Sequence, residues 1–340
     1  MRTRSAFFKA PWQIEIRQVD LPDVPPEGYA LVDVDACSIC GSDVLWAEHG
    51  IPGIDDFSPF GHEVAGRVAA LGEGNTALQI GDRVVFQSSV FCGRCERCLN
   101  GRIDLCKEGP SVWDRRALGF SDRMLAPAIS LTTCEGLPPE VACLTEPAGV
   151  GFDLVKEAGI AMGERVCLVG PGPIGLVALA LAIHRGAIDV TCIGLPHDVK
   201  RLDIARGLGA QTVAHEGPLD GLVHLRERFD HILLTAPPNT IPGALSLLAY
   251  GGRLTFIGLA HGDPNVTLDL DAFHFRKLQL RASMASPALY FPAVIALIQN
   301  GVIPAERLIS HRFCLADIKE AMRVCREDRE NVVKVVVTPR

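Results

Sequence analysis

Hydrophobic and polar residues alternate with a period of two in short stretches of the first 150 residues. Clear examples are Ile14–Val19, Ala30–Asp35 and Gly81–Phe86, and residues that favour turns separate them. Side chains that alternate in this way point to opposite faces of a strand, so one face can be buried while the other meets solvent. The pattern predicts an antiparallel, β-rich domain in this part of the chain.

The pattern changes near Gly151, where short apolar runs begin to alternate with stretches of helical periodicity. Strands and helices in alternation predict βαβ units, and apolar strands such as Val166–Gly170 suit a parallel sheet that helices cover on both faces. After about residue 285, a helix and a terminal β-rich run are expected. The other predicted elements of this part are helix Ile174–Arg185, strand Val190–Gly194, helix Val199–Gly209, strands His231–Leu234 and Arg253–Gly258, helix Phe291–Asn300 and strand Asn331–Thr338.

Composition and charge narrow the class of protein. The 340 residues are 48% hydrophobic and 21% charged, which is typical of a globular chain of about two domains. The formal net charge of −7 has the wrong sign for a general nucleic-acid binder. The N-terminus has no apolar signal region, and the most apolar stretch, Ile174–Ile183, is too short to span a membrane. We therefore expect a cytoplasmic protein with no nucleic-acid or membrane partner.

Twelve cysteines are the unusual feature of the composition, and four of them are closely grouped. Thiols stay reduced in the cytoplasm, so a cluster indicates a metal site before a disulfide. Four thiolates can close a tetrahedral zinc site with bonds of about 2.3 Å, and an iron–sulfur cluster is the chemical alternative. The predicted ligands of this structural zinc, in a lobe at about 91–107, are Cys92, Cys95, Cys98 and Cys106.

A glycine-rich turn joins the first predicted strand of the second half to the helix after it. Gly170, Gly172 and Gly175 form the pattern G-x-G-x-x-G, with Pro173 and Ile174 before the last glycine. In this context the glycines allow a tight turn, a close approach of a pyrophosphate and close helix–strand packing, and the helix N-terminus faces the phosphates. The turn predicts a dinucleotide site; the alternative is a glycine-rich turn in another kind of α/β protein.

The position that selects between NAD and NADP is less decisive. An acidic residue about 20 positions beyond the glycines usually binds the ribose 2′-hydroxyl, but Gly194 stands there. His197, Lys200 and Arg201 lie just beyond it and could bind a 2′-phosphate, which favours NADP slightly. Asp198 could instead reach the ribose and restore a preference for NAD, so both cofactors stay open.

Three further segments carry the residue types of a catalytic zinc site. Cys40 follows Cys37 in a short polar segment, His62 and Glu63 are adjacent, and Glu146 comes later in the chain. Cysteine, histidine and glutamate can hold zinc and leave one coordination position open for a substrate. Each signal is weak alone, because the two cysteines could form a redox pair and the histidine and glutamate could be structural.

The order of these motifs resembles that of the zinc-dependent medium-chain dehydrogenases of the alcohol dehydrogenase superfamily, over nearly the whole chain. The resemblance is closest to the branch of sorbitol and other polyol dehydrogenases and of threonine dehydrogenase. Glu146 stands where alcohol dehydrogenases often have cysteine, which favours the polyol side. The matching segments are Cys40-Gly-Ser-Asp-Val44, Glu48-His-Gly50, Gly61-His-Glu-Val-Ala-Gly66, Gly81-Asp-Arg-Val84, the four-cysteine lobe, Glu146-Pro147, the glycine turn and Ser310-His-Arg-Phe313.

The resemblance implies an α/β protein with two domains. Residues 1–150 and 286–340 would form a β-rich, GroES-like catalytic domain, and residues 151–285 a Rossmann domain with a doubly wound parallel sheet. It also implies two zinc ions per chain, one catalytic and one structural, together with NAD or NADP. A homodimer or homotetramer is the implied assembly.

The resemblance further implies roles for individual residues. Cys40 and His62 would be ligands of the catalytic zinc, with Glu63 as the third or an alternating ligand. Glu146 would complete or border the site, and Ser42 would begin the proton relay. The implied cofactor contacts are Gly170, Gly172, Pro173, Ile174 and Gly175 at the pyrophosphate, Gly194 and Arg201 near the adenosine ribose, and Ile257, Gly258 and Ser283 near the nicotinamide.

Some positions depart from the family pattern. Leu45 stands where polyol and threonine dehydrogenases usually carry a histidine that passes the proton to solvent. The relay would therefore end through His49, water or Glu63. The segment Gly119–Arg123 also differs and could reshape a wall of the substrate pocket. The residues expected at the pocket rim or in an altered loop are Trp46, Asn75, Trp113, Asp114, Arg115 and Arg116, of which the charged run could simply be solvated.

These observations predict a zinc-dependent, NAD(P)-linked oxidoreductase that acts on a small-molecule alcohol or ketone. It would interconvert a secondary alcohol of a polyol, sugar or cyclitol and its ketone by hydride transfer. One alternative is a biosynthetic, NADPH-dependent reductase of a keto-sugar or aminocyclitol. A more remote alternative is a non-catalytic relative that binds nucleotide.

Overall fold

The chain forms two compact units. The computed structural model describes residues 1–74, 77–112, 116–260, 262–284 and 288–340, so Asn75, Trp113, Asp114 and Arg115 lie outside the described residues. The units are Met1–Gly149 with Ser286–Gln299 and Leu308–Arg340, and Val150–Ala285 with Asn300–Arg307.

The first unit is rich in β-structure. The elements that begin before Val150 are β1 (Arg2–Lys9), β2 (Gln13–Asp20), β3 (Tyr29–Ser38), α1 (Gly41–His49), β4 (Ser58–Pro59), β5 (Glu63–Leu71), β6 (Arg83–Phe86), α2 (Glu96–Leu99), β7 (Arg123–Pro127), β8 (Leu131–Thr133), α3 (Pro139–Ala142) and α4 (Thr145–Ala158), with 3-10 helices at Ile103–Leu105 and Ala128–Ser130. β3 pairs antiparallel with both β5 and β7, and β1 pairs antiparallel with β2 and β4. Ala30, Val32 and Val34 of β3 lie in the hydrophobic core, which is where the period-two pattern predicts them.

The second unit contains a parallel sheet. Its elements are β9 (Arg165–Val169), α5 (Pro173–His184), β10 (Asp189–Gly194), α6 (Val199–Gly207), β11 (Gln211–Ala214), β12 (Phe229–Leu234), α7 (Ile241–Leu245), β13 (Leu248–Phe256), α8 (Leu270–Phe275) and β14 (Gln279–Ala282), with 3-10 helices at Leu219–Gly221, Val223–Leu225 and Pro238–Thr240. The strand order is β11-β10-β9-β12-β13-β14, and every neighbouring pair is parallel. Val166, Cys167 and Leu168 of the central strand β9 are fully buried, as expected for a strand covered on both faces. The predicted doubly wound sheet is confirmed.

The last part of the chain returns to the first unit, except for Asn300–Arg307, which belongs to the second. Its elements are α9 (Phe291–Gln299), α10 (Ala305–Leu308), β15 (Ile309–Cys314), α11 (Ile318–Glu327) and β16 (Lys334–Thr338), with 3-10 helices at Ala288–Tyr290 and Leu315–Asp317. β16 pairs parallel with β15 and antiparallel with β3. The N–H of Ile39 donates to the carbonyl of Val335 at 2.9 Å. This pairing brings Lys334 next to the residues that connect β3 to α1.

Two strand starts differ clearly from their predictions: β16 begins at Lys334, three residues after the expected Asn331, and β13 differs more. The strand expected to begin at Arg253 begins at Leu248, because β13 continues through the left-handed residue Gly251, whose φ is +79°. Its pairing with β12 is irregular before Arg253 and regular after it. Two adjacent glycines usually signal a turn, which is why the pattern predicts a later start.

The helices are short relative to a bilayer. α4 has 14 residues and spans about 21 Å at 1.5 Å per residue, against a hydrocarbon core of about 30 Å. α5 is more apolar but has 12 residues. Among the residues that the structure describes, no helix combines the length and the apolar character that crossing a membrane requires.

Candidate functional site

The four-cysteine segment folds around a single point. The Sγ atoms of Cys95 and Cys98 are 3.5 Å apart, and Cys92–Cys98 and Cys95–Cys106 are each separated by 3.9 Å. All four sulfurs lie within 4.8 Å of one another. Zinc–sulfur bonds of about 2.3 Å in a tetrahedron place the sulfurs about 3.8 Å apart. The spacing therefore fits a zinc ion held by four thiolates.

Backbone amides point at these sulfurs. The N–H of Cys92 donates to Cys106 Sγ at 3.3 Å, and the N–H of Cys95 donates to Cys92 Sγ at 3.3 Å. The N–H of Glu108 also donates to Cys106 and lowers the pKa of that thiol to about 7. Such donors favour the thiolate, which is the form that binds zinc.

A second cluster in the first unit brings together Cys40, His62 and Glu63. Cys40 lies between β3 and α1, and Glu63 begins β5, which pairs with β3 so that Ser38 is opposite Glu63. One donor atom from each of the three side chains lies within 4.8 Å of the others. His62 is 7% exposed and Glu63 is 1% exposed, so these two side chains are shielded from bulk solvent, while Cys40 is partly exposed. The pairing of two strands thus assembles the predicted ligand types.

Asp43 contacts two members of this cluster. Its Oδ2 accepts the N–H of Cys40 at 2.9 Å, and its Oδ1 lies 3.7 Å from Nδ1 of His62. Burial raises the pKa of the Asp43 carboxyl. Burial lowers the pKa of His62, but the negative charges of Cys40 and Asp43 raise it more, to well above its ordinary value. A carboxylate beside a ligand histidine is a common support of zinc sites.

Glu63 forms a buried ion pair with Lys334. The Lys334 ammonium contacts Oε1 at 2.7 Å and Oε2 at 2.5 Å, and it donates to the carbonyl of Ile39 at 2.9 Å. The hydroxyl of Ser38 donates to Oε2 as well. Burial lowers the pKa of Lys334, but Glu63, Cys40 and Glu146 together raise it more, so the ammonium stays charged. Glu63 could reach a metal only by sharing or leaving this cation, which favours an alternating ligand over a permanent one.

Glu146 lies in the first turn of α4, near the same cluster. It is 6% exposed, and its Oε1 accepts the hydroxyl of Ser88 at 2.7 Å. Burial raises the pKa of this carboxyl, the charge of His62 lowers it, and the charge of Glu63 raises it. Glu146 is therefore close enough to His62 and Glu63 for their charges to change its pKa.

Negative groups outnumber positive ones in this interior. The carboxyls of Asp43, Glu63 and Glu146 and one thiol surround the ammonium of Lys334 and the imidazole of His62. A buried carboxylate that lacks a compensating charge costs several kcal/mol. A divalent cation would offset the excess, and sulfur, nitrogen and carboxylate oxygen are the donors that zinc takes in catalytic sites. The residues present therefore fit a zinc ion.

Helix α1 carries the predicted proton relay. Ser42 lies half-buried in its first turn, and His49 is its exposed last residue. Seven residues at 1.5 Å each separate them by about 10 Å along the axis. His49 therefore cannot take a proton from Ser42 directly and could act only through water. Trp46 lies on the same helix, with its ring centroid 6.4 Å from that of His62, and forms an aromatic neighbour of the cluster.

The segment Gly119–Arg123 makes structural contacts where a pocket wall was expected. Phe120 is buried in the core. Asp122 and Arg123 form ion pairs with residues of β1 and β3, respectively. Because both charged groups are paired with strand residues, the departure from the family pattern in this segment changes contacts between strands. Arg116, the charged rim residue within the described part of the chain, is exposed.

In the second unit, the glycine turn has the conformation its pattern predicts. Gly170 has a φ of +98°, and a Cβ on Gly175 would lie 2.3 Å from the carbonyl oxygen of Gly170. A Cβ on Gly172 would meet no atom within 4 Å, which leaves space for a pyrophosphate. Pro173 and Ile174 form the first turn of α5, whose N–H groups are available to phosphates.

After β10, where the adenosine ribose is expected, the first acidic residue in the sequence, Asp198, is held by protein groups. A Cβ on Gly194 would lie 2.8 Å from Pro171, so this residue packs against the glycine turn. Asp198 is 5% exposed. Its Oδ2 accepts the N–H of Leu195 at 2.9 Å, and its Oδ1 accepts Nη1 of Arg201 at 3.0 Å. Reaching a ribose hydroxyl would break both bonds, so the alternative in which Asp198 restores a preference for NAD is disfavoured.

The residues predicted near the nicotinamide lie at the same edge of the sheet. Ile257 and Gly258 follow β13, and Ser283 follows β14. A Cβ on Gly258 would lie 2.0 Å from the carbonyl oxygen of Ala236, and the N–H of Ser283 donates to the carbonyl of Phe256 at 2.9 Å. Open α/β sheets bind ligands at the carboxyl ends of their strands, so all the predicted cofactor positions share one edge.

Several residues of the metal cluster were absent from the prediction. Lys334, Ser38 and Ser88 were missed, and Asp43 had no assigned role. The signal for Lys334 was present, because a single lysine interrupts the apolar run Val332–Val337 and a buried charge needs a partner. The two serines carry no comparable signal, since serine is common near strand ends.

Removal of the buried cation should destabilise the fold. We expect Lys334→Met to lower the free energy of unfolding by about 3–5 kcal/mol, because Glu63 would remain buried without its counter-ion. Urea denaturation measures this quantity. Lys319→Met, on the exposed side of α11, is the control and should change it by less than about 0.5 kcal/mol. Equal small effects of the two substitutions would contradict the role of the ion pair.

The lobe should bind its zinc independently of the buried cluster. Cys98→Ser removes one of four thiolates, so the zinc content should fall from two ions per chain to one, as measured by atomic absorption. Cys314→Ser changes a thiol that contacts Asp317 and should leave the zinc content unchanged. Full zinc content in Cys98→Ser would show that the four cysteines do not form a site.

Comparisons with known proteins identify the family. Residues 26–137 match the alcohol dehydrogenase GroES-like domain, and residues 173–300 match the zinc-binding dehydrogenase domain. L-threonine 3-dehydrogenase of Bacillus licheniformis is 30% identical over 320 residues, which cover 91% of both chains. L-galactonate-5-dehydrogenase of Escherichia coli (strain K12) is 27% identical over 338 residues, which cover 96% of both.

A solved structure has the same fold over the full length. It is a crystal structure from Sinorhizobium meliloti 1021, assigned as a zinc-binding dehydrogenase and bound to NADP. It is 26% identical, with a TM-score of 0.86 and 100% of each chain covered. The predicted α/β architecture, with GroES-like and Rossmann-type domains, is confirmed. The chain belongs to the zinc-dependent alcohol dehydrogenase family, whose members are oxidoreductases that interconvert alcohols and ketones with NAD or NADP.

Proposed function

We propose that this enzyme interconverts a secondary alcohol of a polyol, sugar or cyclitol and its ketone, with the chemistry centred on Cys40, His62, Glu63 and Glu146. The observation that carries the proposal is the buried cluster of thiol, imidazole and carboxylate donors, three of which lie within 4.8 Å of one another. Two relatives are named as dehydrogenases of L-galactonate and L-threonine, which are small polar substrates, and this supports a small polar alcohol as the substrate here.

In the proposed site, Cys40 and His62 hold the metal and Glu63 serves as an alternating third ligand. When bound, zinc supplies a Lewis acid that lowers the pKa of an alcohol oxygen. Asp43 restrains Cys40 by accepting its backbone N–H and lies beside the His62 ring, and Lys334 forms a buried ion pair with Glu63. Glu146, hydrogen-bonded to Ser88, borders the site and adds negative charge that favours a cation.

Ser42 accepts the proton that leaves the alcohol in this proposal. Ser42 is half-buried in the first turn of α1, two residues after Cys40 in the sequence. Leu45, three residues further along the helix, has no titratable group and cannot pass this proton on, so water would carry it to solvent. His49 enters only as a distant acceptor at the exposed end of the helix.

The cofactor proposed for this enzyme is NADP, bound at the glycine turn Gly170–Gly175. Gly194 provides no carboxylate that would repel a 2′-phosphate, and Asp198 is occupied by Leu195 and Arg201. Arg201 is partly exposed, and Lys200 beside it is exposed, so both can meet an anion. The nicotinamide ring supplies the hydride chemistry when bound.

A second candidate is the same chemistry in the reductive direction, as an NADPH-dependent reductase of a keto-sugar or aminocyclitol. The absence of a carboxylate at Gly194 favours it, because NADPH is the usual cofactor of reductive biosynthesis. Steady-state rates in both directions, with a panel of polyols and their ketones, distinguish the two. We further propose that the enzyme is a cytoplasmic homodimer or homotetramer; the cytoplasmic location is supported by its twelve cysteines, none of which is in a disulfide.

Cys40→Ser tests the proposed metal site. We expect turnover of a good alcohol substrate to fall by about a hundredfold or more, because loss of a zinc ligand removes the Lewis acid. Zinc content should drop by one ion per chain. Cys37→Ser replaces a buried thiol three positions away and should retain turnover. Unchanged oxidation by Cys40→Ser would refute the role of this cysteine.

Arg201→Ala tests the cofactor preference. The wild type should use NADP(H) better than NAD(H), and the variant should lose about tenfold or more in kcat/KM for NADP(H) with little change for NAD(H). Arg206→Ala is the matched control, because Arg206 lies on the same helix and pairs with Asp203 in the same i,i+3 geometry. A wild-type preference for NAD would contradict the proposal.

A further inference from the structure

A buried carboxylate in the second unit is not explained by the metal cluster or the glycine turn. Asp153 lies in α4 and is 5% exposed. Its Oδ2 accepts the hydroxyl of Ser283 at 2.6 Å, and it also accepts the backbone N–H of Met284. Ser283 is itself 6% exposed. The carboxylate is therefore hydrogen-bonded to both residues that follow β14, Ser283 and Met284.

The segment after β14 is thereby held from two sides. On one side the N–H of Ser283 donates to the carbonyl of Phe256, the last residue of β13. On the other side Asp153 accepts from the Ser283 side chain and the Met284 backbone. Burial raises the pKa of Asp153 and the Ser283 hydroxyl lowers it. A polar group with this burial is costly unless its bonds are made, so these contacts stay fixed in the folded state.

The position of this segment in the sheet indicates what it faces. The pyrophosphate belongs at the carboxyl end of β9 and the adenosine at β10, on one side of the sheet centre. The other half of a dinucleotide must then extend over the carboxyl ends of β12, β13 and β14. Ser283 and Met284 are the residues that leave β14 at this edge.

The hydrogen-bond chemistry suits an amide. A carboxylate only accepts, so the proton of the Ser283 hydroxyl is committed to Asp153 and the hydroxyl oxygen is left with acceptor capacity alone. The carbonyl groups of the same segment are acceptors as well. The carboxamide of nicotinamide has an NH₂ group with two donors, which requires acceptors of this kind.

We propose that Asp153 is a positioning residue that holds the segment Ser283–Met284 in place to receive the nicotinamide carboxamide of the dinucleotide. The inference rests on the proposed function, because it assumes that a nicotinamide dinucleotide binds at this edge of the sheet. In this proposal Asp153 acts only through Ser283 and does not itself touch the reacting atoms.

The test compares the whole dinucleotide with a fragment that lacks nicotinamide. Affinities of Asp153→Ala and Asp153→Asn for NADPH and for 2′-phospho-ADP-ribose are measured by calorimetry, with NADH and ADP-ribose as the second pair. We expect Asp153→Ala to weaken dinucleotide binding by about tenfold and fragment binding by less than about twofold. Asp153→Asn, which keeps one acceptor, should weaken dinucleotide binding by about threefold. In both Asp153 variants, the fluorescence emission of bound NADPH should also shift towards that of the free cofactor.

Glu157→Gln is the matched control. Glu157 lies one turn further along α4 and contacts Arg281 of β14 at 3.4 Å, so it links the same two elements without touching Ser283. It should leave both affinities unchanged. Thermal unfolding shows whether each variant is folded. If Asp153→Ala does not fold, the isosteric variant Asp153→Asn tests the inference in its place.

Two results would overturn the inference. Equal weakening of dinucleotide and fragment would show that Asp153 only supports the fold, and unchanged affinity for both would show that it has no part in binding. The proposed function fails separately, if the wild type binds neither the dinucleotides nor the fragments. Selective loss of dinucleotide affinity in the Asp153 variants, with normal behaviour of Glu157→Gln, supports the inference.

Discussion

The ammonium of Lys334 and the carboxylate of Glu63 meet inside the first unit, where their side chains are 5% and 1% exposed. Neither charge would be tolerated there alone, because an isolated buried charge costs several kcal/mol. Through the carbonyl of Ile39 and the hydroxyl of Ser38, the pair also joins the end of β3. The last strand of the chain must therefore pair with β3 before the metal cluster is complete.

This constraint explains how a set of acidic groups can stay together near His62. Lys334 neutralises Glu63, Ser88 donates to Glu146, and the N–H of Cys40 donates to Asp43. Lys334 supplies a full positive charge, and a divalent cation would offset the negative charge that remains. In the four-cysteine lobe, negative groups are also held close together, but here the ligands are neighbours in the sequence. Backbone N–H groups that donate to the sulfurs stabilise the thiolates.

In the second unit, the carboxyl edge of the parallel sheet is shaped mainly by close backbone approaches. Glycines at 170, 175 and 258 lie where a side chain would collide with main-chain atoms, so the turn and the strand ends can pack tightly. Two carboxylates near this edge are hydrogen-bonded to protein groups. Asp198 holds Leu195 and Arg201, and Asp153 holds Ser283, so neither is available to a ribose hydroxyl without rearrangement.

The sequence by itself determined what depends on local spacing: the two kinds of sheet, the glycine turn, the four-cysteine lobe and the residue types of a catalytic zinc. These features follow from periodicity and from ligands that are neighbours in the chain. The tertiary structure alone decided which charges face each other. That Glu63 is paired with Lys334, that Asp198 is withdrawn from the ribose position and that Asp122 and Arg123 serve the scaffold all depend on contacts between distant segments. Such contacts arise from strand pairing and burial, and the linear order of residues does not encode the partner of a charged side chain.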